Sequence, residues 1–137
     1  MYTTPYLMFK GECEEALNFY ARVTGGTVLM MMKHRGSPAE AHTAPEWQDK
    51  IMHGRIKIGD AIIMASDAPP GRQYRERGGF CMSLQVENKS DAARMFAALS
   101  EGGNVTMPLD ETFFADAFGM LTDRFGVPWM VACEKKM

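Results

Sequence analysis

Residues 11–28 read GECEEALNFYARVTGGTV, and residues 88–105 read NKSDAARMFAALSEGGNV. The two stretches align without a gap at an offset of 77. Ala16/Ala93, Phe19/Phe96, Ala21/Ala98, Gly25/Gly102, Gly26/Gly103 and Val28/Val105 are identical, and Glu14/Asp91 match in charge. Each copy reads as an acid-led amphipathic helix, a Gly-Gly stop and a valine opening a strand. A repeat this long in a chain of 137 residues predicts two copies of one supersecondary module.

The rest of the chain repeats the same order. Strands are predicted at 4–10, 28–34, 50–58 and 61–66, with the first helix at 12–23. The second half gives strands at 80–86, 104–107, 113–122 and 127–134, with the helix at 90–100. Both halves therefore read βαβββ. Between 35 and 49 lies a stretch expected to be a mobile loop, with one helical turn near Pro45–Gln48. Residues 108–112 are expected to turn, and Gly119 to mark a bulge or kink. The alternation in KIMHGRIKI sets Met52, Ile56 and Ile58 against His53, Arg55 and Lys57. The expected organisation is one domain, 1–137, with module one at 1–67, a proline- and glycine-rich linker at 68–78 and module two at 79–137.

Composition excludes several functions. The formal net charge is −2 and the cations are scattered, so the basic stripe that gives affinity for nucleic acid is missing. No apolar run approaches the ~18 residues of a membrane span. The opening MYTTPYLMF lacks the basic and apolar regions of a secretory signal. Cys13, Cys81 and Cys133 form no CxxC pair, which fits reduced thiols in a cytoplasm. The 13 methionines fill irregular apolar space and adapt to varied ligands.

The stretches PYLMFKGECEEALNFY, KIMHGRIKIGDAIIMASD, ETFFADAFG and TDRFGVPWM, in that order and spacing, resemble the PhnB-like branch of the vicinal oxygen chelate superfamily. That superfamily includes glyoxalase I, bleomycin-resistance proteins, fosfomycin-resistance enzymes and extradiol dioxygenases. The resemblance implies an α+β fold of paired βαβββ modules, open curled sheets around a cavity, and a homodimer. In metal-dependent relatives a divalent ion is held by His or Glu from four strands, and acts as Lewis acid on two neighbouring substrate oxygens. Carried onto this chain, those positions fall at Pro5, Met64, Cys81 (or Met82) and Met130. None is His or Glu. The expectation is therefore no metal, and a small organic ligand held against apolar side chains. The quinone methyltransferase label that some relatives carry finds no support in a glycine-rich strand-to-helix turn.

The expected ligand pocket comprises Met64, Cys81, Ser83, Phe113, Phe114 and Met130. By alternation Met64 and Met130 share its face, while Ile63, Ala65, Trp129 and Val131 turn to the helices. Two polar groups are candidate catalytic residues. His53, with Arg55 and Lys57 on its face, suits an anionic ligand or structural hydrogen bonding. Glu111, beside Phe113 and Phe114, suits a general base or a turn cap. With these two, or with a non-standard metal site, the alternative function is an enzyme of lyase, isomerase or dioxygenase type. Asp67 and Asp123 are expected to form turns by bonding their own backbone.

Overall fold

In each half of the chain the repeated stretch supplies the one helix of a βαβββ unit. The structure, a computed structural model, describes residues 1–68 and 78–135; the expected linker, apart from its two ends, lies outside them. The chain divides into two units, Met1–Tyr74 and Arg75–Met137. The first runs β1 (Tyr6–Phe9), α1 (Cys13–Thr24), β2 (Thr27–Lys33), β3 (Ile51–Ile58) and β4 (Ala61–Asp67). The second runs β5 (Met82–Gln85), α2 (Lys89–Ser100), β6 (Asn104–Asp110), β7 (Ala115–Thr122) and β8 (Pro128–Glu134). The sheet orders are β1-β4-β3-β2 and β5-β8-β7-β6. In each the first pair is parallel and the others antiparallel. The fold is α+β, as the repeat predicts.

Each helix covers one face of its own sheet. Ala16, Leu17, Phe19, Tyr20 and Val23 are buried along α1, and Ala92, Phe96 and Leu99 along α2. Leu7, Ile56, Ile63 and Ala65 in one unit and Leu84, Leu121, Trp129 and Val131 in the other are buried as well. At helical spacing one stripe enters the core, and burial of that stripe rather than propensity holds a 12-residue helix together.

The Gly-Gly of the repeat has two separate causes. Gly25 and Gly102 have φ of 73° and 71°, the left-handed region that ends a helix and that L side chains resist. Gly26 and Gly103 are needed for closeness instead. A Cβ there would lie 2.4 Å from the carbonyl oxygen of Lys57, or 2.3 Å from that of Thr122.

Several boundaries differ from expectation for identifiable reasons. Gly119 pairs regularly with Val131 on one side, but on the other the register shifts between Met107 and Asp110, so the expected irregularity lies opposite it in β6. A Cβ on Gly119 would stand 2.7 Å from the Phe96 ring. The helix rests on it. β6 continues through Pro108, because β6 is an edge strand, where a missing N–H is tolerated. Its pairing shifts register on both sides of Met107. β7 begins at Ala115, since Thr112 Oγ1 accepts the amides of Phe114 and Ala115 and holds Phe113 and Phe114 in the turn. In β3 the register skips Met52, so Ile51 is the buried residue. The 35–49 stretch forms two short 3₁₀ turns, Glu40–His42 and Pro45–Trp47. Its ends are tied by Arg35 to Gln48 and by His34 to Lys50 through backbone bonds.

Two buried aspartates hold these parts in place. Asp67 accepts the amides of Gly11 and Cys13 at 2.8 and 3.0 Å, and of Ile51 at 2.9 Å. It therefore caps α1, which lacks a side-chain cap of its own, and is not the local turn-former expected. Asp123 does bond its own turn, through Phe125 and Val127. α2 is capped locally by Asn88, which accepts the Asp91 amide at 2.8 Å.

Candidate functional site: the open face of the first sheet

The helix-bearing face of the first sheet takes Leu7 and Phe9, so alternation turns Tyr6 and Met8 to the other face. Strand pairing then sets Tyr6 beside Met64, Met64 beside Arg55 and Arg55 beside Met30. Met32 pairs with His53 and Met8 with Ser66. One open face thus carries Met8, Met30, Met32 and Met64 around Tyr6, His53 and Arg55.

The three polar groups are joined. Arg55 Nε donates to His53 Nε2 at 3.1 Å. Nδ1 of the same ring lies 3.2 Å from Tyr6 Oη. The rings of Tyr6 and His53 stack with centroids 5.8 Å apart, 29° from parallel. A guanidinium can only donate, so Nε2 must accept and the imidazole is neutral. Its proton then sits on Nδ1 and points to the tyrosine oxygen. Desolvation, and next the Arg55 charge, lower the His53 pKa from its usual value.

The corresponding row in the second unit is Ser83–Met130–Met120–Met107. Ser83 Oγ accepts from Gln85 Nε2 at 2.7 Å. Cys81, a free and half-buried thiol, precedes β5. Phe113 is 92% exposed; it meets Phe114 edge-on at 5.1 Å, and Phe114 meets Phe118 at 5.3 Å. Ser83 and Met130 therefore share a row, while Phe113 and Phe114 sit in the β6–β7 turn.

Glu111 also belongs to that turn. Its carboxylate is exposed and lies 3.5 Å from Lys135 Nζ. It borders a cleft of about 340 Å³ with Lys89, Ala93, Leu109, Asp110, Asp116 and Ala117. A second cleft, about 360 Å³, is bounded by Gln85, Val86, Glu87 and Glu134. His53 is in the first unit and Glu111 in the second. Each has its own partners.

The pairing also shows what stands beside Met64 and Met130 in their rows. Tyr6, not Pro5, lies beside Met64, and Ser83 lies beside Met130. Pro5 gives its carbonyl to the Met64 amide at 3.1 Å, one residue out of the row. Phenol, hydroxyl and two thioethers do not suit a hard divalent ion. Among the described residues no three His, Cys, Asp or Glu groups converge.

The model of the family described as 3-demethylubiquinone-9 3-methyltransferase matches residues 2–132. The chain belongs to this PhnB-like family. It is 33% identical over 141 residues to the protein YjdN of Escherichia coli K12, covering 97% of this chain and 95% of that one. The PhnB-like fold is shared with protein PA1353 of Pseudomonas aeruginosa at TM-score 0.90 and 46% identity, covering 99% of each chain. The PhnB protein of Bacillus cereus follows at TM-score 0.83 and 22% identity, covering 97% and 99%. A glyoxylase/bleomycin resistance/dioxygenase domain from Frankia sp. EAN1pec shares the fold at TM-score 0.65 and 16% identity, covering 98% of each. This PhnB-like chain thus has the glyoxalase/bleomycin-resistance architecture. No helix among its described residues is long and apolar enough to cross a membrane.

The family description names a methyl transfer, whose usual donor, S-adenosylmethionine, is cradled by backbone at a glycine-rich strand-to-helix turn. The β1–α1 turn of this PhnB-like chain does not fit. Its amides at Gly11 and Cys13 are taken by Asp67. A Cβ on Gly11 would already meet Lys50 and Trp47 at 3.3 and 3.4 Å, so no open cradle exists there.

Sequence reasoning placed His53 and Arg55 on one face and did not name Tyr6, which the structure brings to them. The signal was present: Leu7 and Phe9 claim the core face, which leaves Tyr6 on the His53 side.

Proposed function

We propose that this PhnB-like protein binds a small organic molecule against the methionine-lined open face of its sheets, acting as a cytoplasmic homodimer without a resident metal. One observation carries the reading: Met8, Met30, Met32 and Met64 surround a hydrogen-bonded polar cluster on one face. Thioethers on flexible stems conform to varied apolar shapes, and a few fixed polar groups orient what they hold. The donor chemistry at Tyr6, Met64, Ser83 and Met130 favours binding without a metal. The three free cysteines favour a reducing compartment. Leu29, Val105 and Met107 on edge strands are exposed apolar groups that a second copy would cover.

Native mass spectrometry of gently purified protein tests the reading, together with a thermal-shift screen of catechols, fosfomycin and α-keto aldehyde–thiol adducts. A ligand should appear or raise Tm, and Met64→Asp should abolish the effect. Elemental analysis after dialysis should give no stoichiometric metal, and light scattering should give a dimer. A tightly held ion, or a ligand that binds Met64→Asp unchanged, would overturn it.

A second reading, an enzyme of lyase, isomerase or dioxygenase type, is favoured by the neutral imidazole of His53 in contact with a hydroxyl. It requires that turnover of one of these compounds vanish in the variant combining His53→Ala and Glu111→Ala.

A further inference from the structure

We propose that Arg55 and Tyr6 form the head-group site for a carboxylate on the organic ligand, with His53 as the positioning residue between them. The inference rests on the small-molecule reading above and adds the chemical class of the ligand.

The charge of the face is one-sided. The strands of the first sheet contain a single carboxylate, Asp67, which is buried and taken up by the amides of Gly11, Cys13 and Ile51. On the open face stand His53, Arg55 and the exposed Lys57. Arg55 is half-buried on an interior strand, between Met30 and Met64. Among the described residues no carboxylate pairs with it. A guanidinium held among thioethers without a counter-charge is unfavourable unless an anion arrives from outside. The second sheet is the reverse case. Its strands carry Asp110, Asp116 and Glu134 and no lysine or arginine.

The hydrogen bonds fix what remains available. Arg55 spends Nε on His53, which leaves the terminal amino groups, a two-pronged match for a carboxylate. His53, accepting at Nε2, donates at Nδ1 to Tyr6 Oη. The tyrosine oxygen, already an acceptor there, keeps its own O–H to donate to a ligand oxygen. The groups facing the imidazole are Tyr6 from β1, Met32 from β2 and Arg55 from β3. No acid among them competes with the ligand.

The probes are benzoate and benzamide, alike in shape and different in charge, titrated into the full-length protein labelled with nitrogen-15 and followed by NMR. Benzoate should shift the Tyr6, His53 and Arg55 signals and bind about tenfold tighter than benzamide, the scale of one charge-assisted hydrogen bond. Arg55→Gln should abolish the preference. Arg55→Lys should keep most of it, yet release His53 from its single Nδ1–H tautomer, read from the imidazole nitrogen shifts. Tyr6→Phe should weaken benzoate several-fold.

Equal binding of the two probes, or a preference that survives Arg55→Gln, overturns the carboxylate site and leaves small-molecule binding standing. Failure of both probes to perturb this face overturns the carboxylate site and the small-molecule reading of the face together. An Arg55→Lys variant with an unchanged tautomer refutes the positioning role of His53.

Discussion

The indole N–H of Trp129 donates to Oδ2 of Asp123 at 2.9 Å. Oδ1 of the same carboxylate takes the Phe125 and Val127 amides at 2.8 and 3.0 Å. Asp123 is 3% exposed and Trp129 2%. The β7–β8 turn is thereby fastened to the largest side chain of the second core.

Removing that carboxylate strands three buried donors. Asp123→Ala should destabilise the protein by about 3 kcal/mol, within the range for unpaired buried groups. Asp123→Asn keeps one acceptor oxygen for the amides and loses only the indole bond, so about half that loss is expected. Urea denaturation curves decide; equal losses for the two substitutions would show that the indole bond carries the whole effect.

Acid should loosen the first unit through His53. Its pKa in the folded protein lies below the ordinary value of 6.5. The unfolded chain therefore binds the proton more readily. The contribution is fully present above pH 6.5 and is lost as pH falls through the lowered folded value. Tm should fall between pH 7 and pH 5, and His53→Gln should flatten the fall. An unchanged profile in His53→Gln would assign the acid sensitivity elsewhere.

The three thiols should differ in reactivity. Burial, then the Asp67 charge, then Glu14, pushes the Cys13 thiol up to about 12. Cys13 and Cys133 are 0% and 3% exposed, whereas Cys81 is half-buried. Because the thiolate is the reacting form, an alkylating reagent at pH 8 should modify Cys81 alone in the native state and all three in denaturant. Rapid native labelling of Cys13, located by peptide mass, would contradict this burial.

The paired glycines should separate in a mutation series. Gly103→Ala sets a methyl 2.3 Å from the Thr122 carbonyl oxygen and should cost about 3 kcal/mol as overpacking against backbone. Gly25→Ala keeps a φ of 73° with nothing within 4 Å and should cost about 1 kcal/mol. Equal effects on Tm would mean that the backbone at Gly103 yields to the methyl and that closeness does not dictate that position.

The repeat made the fold legible, because helix stripes, Gly-Gly stops and alternating strands are local patterns that tertiary packing then confirms. Ile63, Ala65, Trp129 and Val131 are buried on the helix face as alternation predicts. Less legible was whatever depends on long-range pairing. That Asp67 caps α1 from 54 residues away leaves no local trace. The skipped Met52 changes which residue of β3 is buried. Counting from a helix cannot see the parallel pairing of Tyr6 with Met64. Glu111, readable as a general base or a turn cap, lies with its neighbouring phenylalanines in an exposed turn that Thr112 draws together.

Tyr6 with Met64 and Ser83 with Met130 occupy matching rows of the two units. The helix-side glycines match too, while the strands of the two sheets carry opposite charge. Two identical half-chains would inherit every substitution on both faces at once. Joined in a single polypeptide, each face can mutate alone. The duplication thus holds the packing in common and lets one half gain cations while the other gains acids, a division of labour that no symmetric pair of half-chains could encode.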